Sequence, residues 1–289
     1  MIFLAMRRPI LLLFVLLFGV DVTARQASYT SFTPFEKFRQ AVLAADSTAL
    51  SELYTKIPEP QTTDADNRAI SMQDELSFWT SWKPRGLTDI GVEVIGEHDP
   101  SADLHILILR LAFITKSGFT EKKQFVNVAQ GWSHQNGQWL LSFSRHSAPT
   151  LLRQPLEDKA IYKAYADPNE QIADAIKSAS ASHRRILLVF GGNWCFDCHV
   201  LDEAFHSPEI EPTLDKSFIV VHIDVGQMDR NLDVAKKYDI PLDRGVPAIA
   251  VLDSDGKLLF SQKRGEFEAA RSMSPDDILD FLNKWKPST

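Results

Sequence analysis

The chain has 289 residues, of which 44% are hydrophobic and 24% are charged, a composition typical of folded globular proteins and unlike that of disordered ones. Its formal net charge of -7 disfavours nucleic acid as a partner, because binding to phosphates requires a basic surface. The length predicts two domains.

The N-terminus has the features of a secretion signal. Arg7 and Arg8 precede an uncharged apolar run over residues 9–20, and Val22-Thr23-Ala24 follows as a small-residue cleavage site. We therefore expect residues 1–24 to be a signal peptide and the mature protein to be secreted, into a bacterial periplasm. The apolar run is shorter than the roughly 20 residues of a membrane span, so an uncleaved anchor is the less favoured alternative. No membrane span is expected after cleavage.

Residues 28–146 are predicted to form a first domain that begins with helices. Apolar side chains recur at helical spacing from Phe35 to Tyr54, Pro58 ends that helix, and a second helix is expected over residues 72–82. Strand-like segments then follow over residues 91–97, 104–115, 120–133 and 138–145. Helices followed by a meander of antiparallel strands predict an α+β domain.

This order of elements resembles the nuclear-transport-factor-2-like (NTF2-like), or SnoaL-like, cone fold over most of residues 32–146. The likeness lies in the first helix, which ends in Leu50-Ser51-Glu52-Leu53-Tyr54, and in the final hairpin, Gln130-Gly131-Trp132 to Gln138-Trp139-Leu140-Leu141. It implies a pocket between sheet and helices. Some members of the fold are enzymes, and many only bind ligands or dimerise. The polar candidates there are His98, His105, His134 and His146. No second catalytic residue lies at a sequence spacing from these histidines that would indicate an active site, so we assign this domain no catalytic chemistry.

Residues 147–157, which include Pro149 and Pro155, are predicted to be a linker. In residues 158–289, the predicted second domain, helices and strands alternate. Helices are expected over residues 169–180, 198–205, 208–214 and 232–238, and after Ser274. Strands are expected over residues 186–190, 218–225, 247–252 and 257–261. The apolar runs of the first two strands are typical of a parallel sheet that is covered on both faces.

Residues 194–199 read Trp-Cys-Phe-Asp-Cys-His and contain the only two cysteines, Cys195 and Cys198. Two cysteines at this spacing, at a strand-to-helix turn, form the reactive pair of dithiol–disulfide catalysts, since the helix N-terminus stabilises the first sulfur as a thiolate. The same residues match the attachment sequence of c-type haem, with His199 as axial ligand. A metal site and an inert structural disulfide are the other interpretations.

The second half resembles thioredoxin-fold domains over its full length. The residues that carry the likeness are Trp194 to Cys198 after a buried strand, His222 to Val225 at the end of the next, Gly245-Val246-Pro247 before the third, and Gly256 in the following hairpin. The resemblance implies an α/β thioredoxin fold, a cis peptide bond before Pro247 that faces the disulfide, and a substrate peptide bound by the backbone of Val246. It weakens the haem and metal interpretations, so no cofactor and no metal are expected.

The resemblance predicts a secreted thiol–disulfide oxidoreductase in which Cys195 is the nucleophile and Cys198 resolves the mixed disulfide. Trp194, Val246 and Pro247 are the predicted substrate-binding residues, and the partners would be protein thiols or disulfides and a redox partner protein. The alternative function is a ligand- or partner-binding protein. In that case the N-terminal cone domain carries the function, and the second domain is a redox-sensitive or metal-binding scaffold. A homodimer through the N-terminal domain is a further expectation.

Two positions depart from the thioredoxin pattern. Val189 stands where the family commonly has a buried aspartate that assists proton transfer to the second cysteine, and Gly191 where many relatives have tryptophan. The open candidates for the proton acceptor are water, Asp197, His199 and Glu203. The charge of Asp197 should disfavour a thiolate at Cys195, whereas a protonated His199 would favour it. The sequence therefore does not fix the direction of electron flow.

Overall fold

The computed structural model describes residues 32–64, 66–155 and 159–288. The predicted signal peptide, residues 1–24, lies outside this part of the chain. Among the described residues, no helix is long and apolar enough to cross a membrane. These residues form two sheets, each with its own helices and its own apolar core.

In its described residues, the N-terminal domain contains three α-helices and a five-stranded sheet. Its helices are α1 (Thr33–Ala44), α2 (Ser47–Glu52) and α3 (Met72–Thr80). Its strands are β1 (Gln61–Thr63), β2 (Leu87–Ser101), β3 (Leu104–Ser117), β4 (Thr120–Gln135) and β5 (Gln138–His146). The spatial order is β1-β5-β4-β3-β2, in which β1 pairs parallel with β5 and the other pairs are antiparallel. This is the α+β cone architecture that the order of elements predicted.

Two helices, rather than the single one expected, occupy residues 33–52. Ala45 ends α1 in the left-handed conformation, with φ of 57°, and the Asp46 carboxylate then accepts the backbone N–H groups of Thr48 and Ala49. This cap starts α2 and turns the chain within one continuous apolar stripe. The short strand β1 was not predicted either.

Aromatic side chains fill the space between α1, α3 and the N-terminal sheet. The fully buried ones include Trp79, Trp82, Phe113 and Trp132. Trp82 stacks on Phe113 with ring centroids 4.1 Å apart. The interior of the cone is therefore a packed core.

The C-terminal domain alternates helices with a four-stranded sheet of order β7-β6-β8-β9. Its helices are α4 (Pro168–Ser182), α5 (Phe196–Phe205), α6 (Glu211–Ser217), α7 (Leu232–Lys237) and α8 (Pro275–Trp285). Its strands are β6 (Arg185–Gly191), β7 (Phe218–Asp224), β8 (Ala248–Leu252) and β9 (Leu258–Ser261). Strand β6 pairs parallel with β7 and antiparallel with β8, and apolar clusters cover both faces of the sheet. The predicted thioredoxin fold is confirmed.

A buried ion pair joins the two domains. Arg110 on β3 is only 4% exposed, and it lies 3.1 Å from Glu93 on β2 and 3.4 Å from Glu203 on α5. Since α5 begins directly after Cys195, the N-terminal domain contacts the helix that follows the first cysteine.

Candidate active site

The two cysteines lie where β6 gives way to α5. Cys195 is the N-cap residue of α5, with extended backbone, and its Sγ accepts the backbone N–H of Cys198 at 3.1 Å. Cys195 and Cys198 form a disulfide, and their Cα atoms are 5.2 Å apart. The first sulfur therefore lies at the positive end of the helix dipole, where a thiolate is stabilised.

The loop before β8 faces this disulfide. The peptide bond between Val246 and Pro247 is cis, as the resemblance implied. The carbonyl oxygen of Val246 lies 3.5 Å from the Cys195 Sγ. A backbone segment thus borders the sulfur at the helix N-terminus, in the position where an extended peptide could lie beside it.

Two exposed aromatic side chains flank the cysteine turn. Trp194 is 50% exposed, and its indole Nε1–H donates to the carbonyl oxygen of Gly226 at 2.5 Å, which holds the ring against the loop after β7. Phe196 is also exposed, and the guanidinium of Arg271 lies 4.9 Å from its ring centroid. Exposed aromatic rings beside a reactive group offer apolar contact to a partner.

Asp197, the acidic residue between the cysteines, is buried and forms an ion pair with Arg271. Its carboxylate accepts hydrogen bonds from Arg271 at the backbone N–H (2.8 Å), Nε (3.0 Å) and Nη2 (2.5 Å). The hydrogen bond that Arg271 donates to the Asp197 carboxylate in turn holds the pKa of Arg271 above its ordinary value. The sequence predicted that the charge of Asp197 disfavours a thiolate at Cys195; the structure adds a guanidinium, from the segment before α8, that pairs with this charge and offsets it.

His199 and Glu203 point toward the N-terminal domain. The His199 Nε2–H donates to the carbonyl oxygen of Asn193 at 2.7 Å, and Glu203 lies 3.4 Å from Arg110 and 3.8 Å from Lys159. Both side chains line a groove of about 180 Å³ between the domains. The three side chains proposed as proton acceptors, Asp197, His199 and Glu203, are thus all engaged with other groups.

Sequence reasoning missed a tyrosine that contacts the cysteine turn. Asn193 pins the backbone of Tyr162, since its side chain accepts the Tyr162 N–H and donates to the Tyr162 carbonyl oxygen, both at 2.9 Å. The Tyr162 ring then fills the space above Gly191. The absent side chain at Gly191 was the available signal, although nothing in the sequence indicates which residue occupies that space.

The four histidines of the N-terminal domain do not form one site. His98 and His134 are exposed, and His105 lies between two surface carboxylates, Glu97 and Asp99. His146 is buried and stacks on Phe78, 3.6 Å between ring centroids.

Glu75, which the sequence analysis did not single out, is the centre of a polar cluster inside the cone. Its carboxylate is fully buried, accepts hydrogen bonds from Tyr54, Trp79 and Ser144 at 2.6–2.8 Å, and lies 3.4 Å from His146. Burial raises the pKa of Glu75, but the hydrogen bonds outweigh it and leave that pKa below its ordinary value. A carboxylate with this many donors stabilises the fold.

Comparisons with known proteins match each half of the chain separately. The family model described as thioredoxin-like matches residues 167–254, and no curated protein matches the chain. Among solved structures, a disulphide isomerase from Xylella fastidiosa Temecula1 is 41% identical, with a TM-score of 0.42, over 44% of this chain and 96% of that chain. An NTF2-like protein of unknown function from Rhodospirillum rubrum is 15% identical, with a TM-score of 0.33, over 40% of this chain and 95% of that chain.

Proposed function

Because the chain belongs to the thioredoxin-like family through its C-terminal domain, we propose that it is a thiol–disulfide oxidoreductase acting through Cys195 and Cys198. The observation that carries the proposal is the position of the disulfide, at the N-terminus of α5 and beside the cis Val246–Pro247 peptide. The Xylella protein is described as a disulphide isomerase, and disulfide isomerisation is also thiol–disulfide exchange chemistry.

In the proposed reaction the reduced protein attacks with Cys195. Its sulfur is the better thiolate, since it lies at the helix N-terminus and accepts the Cys198 N–H. Attack on a substrate disulfide forms a bond between Cys195 and one substrate sulfur, and the other substrate sulfur leaves as a thiolate that takes a proton from water. Cys198 then loses its proton and attacks Cys195, which releases the second substrate thiol and restores the disulfide. The reverse sequence oxidises a substrate dithiol.

We propose that the substrate is a protein thiol or disulfide, held as an extended segment along Val246 and Pro247. Two contacts support this: the Val246 carbonyl borders the Cys195 sulfur, and Trp194 presents half of its surface beside the same turn. A redox partner protein would use the same surface to reset the pair, because the exchange chemistry is reversible.

The second candidate, a binding protein built on the N-terminal domain, is less well supported. The interior of the cone is filled by Trp79, Trp82, Phe113 and Trp132, which leaves a buried ligand little space there. Arg110 instead connects this domain to α5. We propose that the N-terminal domain supports the redox domain and docks a partner or a second copy of the chain.

The proposed location is outside the cytoplasm, in a bacterial periplasm. The charged, apolar and small-residue segments of residues 1–24 support secretion. A cysteine pair that cycles through a disulfide also suits an oxidising compartment. Expression in a bacterial host, cell fractionation and the mass of the mature N-terminus test this.

Two single-cysteine variants test the chemistry. Cys198→Ser keeps the nucleophile and should accumulate a mixed disulfide with a peptide disulfide, whereas Cys195→Ser should not react. Each variant keeps one thiol and is therefore the matched control of the other. Equilibration of the wild-type protein with glutathione or dithiothreitol buffers, read by thiol labelling, should give one titratable two-electron couple. Unchanged exchange activity in Cys195→Ser, or the absence of a couple, would overturn the proposal.

A further inference from the structure

A buried tyrosine hydroxyl and the sulfur of Cys198 lie around the same point above Gly191. Tyr162 is 1% exposed, and among the described residues its hydroxyl oxygen has no partner. A Cβ atom added to Gly191 would collide both with this hydroxyl and with the Cys198 Sγ, the latter at 2.6 Å. The two atoms therefore border the same small space above Gly191. Burying a hydroxyl without an acceptor lowers the stability of the folded state, so a hydroxyl in this state beside the disulfide points to a role in another redox form.

The backbone around Tyr162 is held in place by the turn that carries the cysteines. Asn193, two residues before Cys195, makes two hydrogen bonds to the Tyr162 main chain, and its own carbonyl accepts from His199. The ring of Tyr162 packs edge-on against His222, 5.2 Å between centroids. The main chain and the ring of Tyr162 are thus each held by contacts, and together they place the hydroxyl in the space above Gly191.

We propose that the Tyr162 hydroxyl donates a hydrogen bond to the Cys198 thiolate during resolution of the mixed disulfide. The inference rests on the proposed oxidoreductase function and names a residue that supports its second step. In the disulfide the Cys198 sulfur is a weak acceptor and the hydroxyl is left unpaired, whereas in the reduced protein the sulfur can become an anion. Tyr162 keeps its own proton, and the Cys198 proton leaves to water.

The charges around Tyr162 favour the role of donor over that of base. The groups that face it are Asp202 on α5, and His222 and Asp224 on β7. Burial, and then the carboxylates of Asp202 and Asp224, raise the pKa of the Tyr162 hydroxyl, so it stays protonated at any physiological pH. The position that commonly holds a proton-accepting aspartate is Val189, which packs in the opposite apolar cluster. This chain therefore supports the thiolate with a neutral donor and has no acid–base group at that position.

The test compares Tyr162→Phe with the wild-type protein in a single turnover. Reduced protein is mixed with a peptide disulfide, quenched with acid at intervals, and resolved by mass spectrometry into reduced, mixed-disulfide and oxidised forms. Formation of the mixed disulfide should be unchanged, whereas its resolution at pH 7 should slow about 10- to 100-fold, because one hydrogen bond to a buried anion is removed. The deficit should shrink as the pH rises, since a higher pH restores the thiolate fraction.

Tyr238→Phe is the matched control, because Tyr238 is a buried tyrosine of the same apolar cluster. Equal resolution rates in Tyr162→Phe and wild type, or an equal slowing in Tyr238→Phe, would overturn the inference and leave the oxidoreductase function standing. A wild-type protein that forms no mixed disulfide would overturn both. If Tyr162→Phe does not fold, the reduced-minus-oxidised infrared spectrum of the wild-type protein serves instead. It should contain a tyrosine C–O band, and a spectrum without one would refute the inference.

Discussion

Arg271→Ala is the substitution that most directly tests the electrostatics of the cysteine turn. It removes the guanidinium that binds the buried Asp197 carboxylate and leaves only the backbone N–H of residue 271 as a donor. Asp197 then carries an incompletely paired negative charge beside Cys195. A negative charge there disfavours the Cys195 thiolate and so disfavours the reduced form of the pair.

The size of the effect follows from the hydrogen bonds that the substitution removes. Hydrogen bonds to charged groups contribute about 1.5–3 kcal/mol, but the Arg271 side chain is 54% exposed, so water replaces part of the interaction. We therefore expect the free energy of unfolding to fall by about 1–2 kcal/mol. If the substitution destabilises the reduced form by about 1.4 kcal/mol more than the oxidised form, the reduction potential becomes about 30 mV more negative.

The assay is equilibration of the pair with glutathione buffers, with urea unfolding measured in parallel. Arg264→Ala is the matched control, since it removes one positive charge from an exposed position before α8 that does not contact Asp197. Adding Asp197→Asn to Arg271→Ala should restore the potential toward that of the wild type, because the neutral amide has no charge to act on Cys195. The same negative shift in the double variant as in Arg271→Ala would refute the reasoning.

Three further substitutions test other contacts. Glu75→Gln should lower the free energy of unfolding by about 1–3 kcal/mol at pH 7, measured by urea unfolding. Because the folded-state pKa of Glu75 is lowered, its contribution to stability is present above the unfolded pKa and is lost as the pH falls through the folded pKa. The difference between variant and wild type should therefore shrink in acid. Arg110→Ala should cost about 2 kcal/mol, because it leaves Glu93 and Glu203 without their shared partner. Gly191→Ala should cost about 1–3 kcal/mol in the same assay, since the added methyl overlaps Tyr162 and Cys198; wild-type stability in any of these variants would contradict the corresponding contact.

Much of the C-terminal domain was predictable, because its signals are local. The buried strand, the Cys-x-x-Cys turn and the helix behind it are consecutive in sequence, and so are Val246 and Pro247. Apolar runs bounded by turn residues likewise locate β6, β7 and β8, since strands covered on both faces cannot carry exposed polar residues. For these elements the local sequence and the global fold favour the same structure.

The contacts that set the chemistry were not predictable, because they join distant parts of the chain. Arg271 reaches Asp197 from a segment near the C-terminus, and Tyr162 reaches Cys198 from a loop before α4. The sequence shows that a buried Asp197 would need a partner and that Gly191 leaves space for another side chain. Tertiary packing decides which residues pair with the first and fill the second. The N-terminal domain shows the same limit at Ala45, whose left-handed backbone divides a helical pattern that the sequence presents as continuous.

The acidic side chains of α5 connect these observations. Asp197 is bound to Arg271, and Glu203 to Arg110 and Lys159, so the N-terminal domain supplies one of the cations that balance this helix. Asp202 is the exception, because its partners are imidazoles: the exposed His206 at 3.9 Å, and His222 at 3.6 Å, whose pKa is lowered by burial. The remaining negative charge on α5 is therefore one turn after Cys198. Such a charge opposes a thiolate at either cysteine; the helix N-terminus offsets it at Cys195, and the neutral donor at Tyr162 offsets it at Cys198.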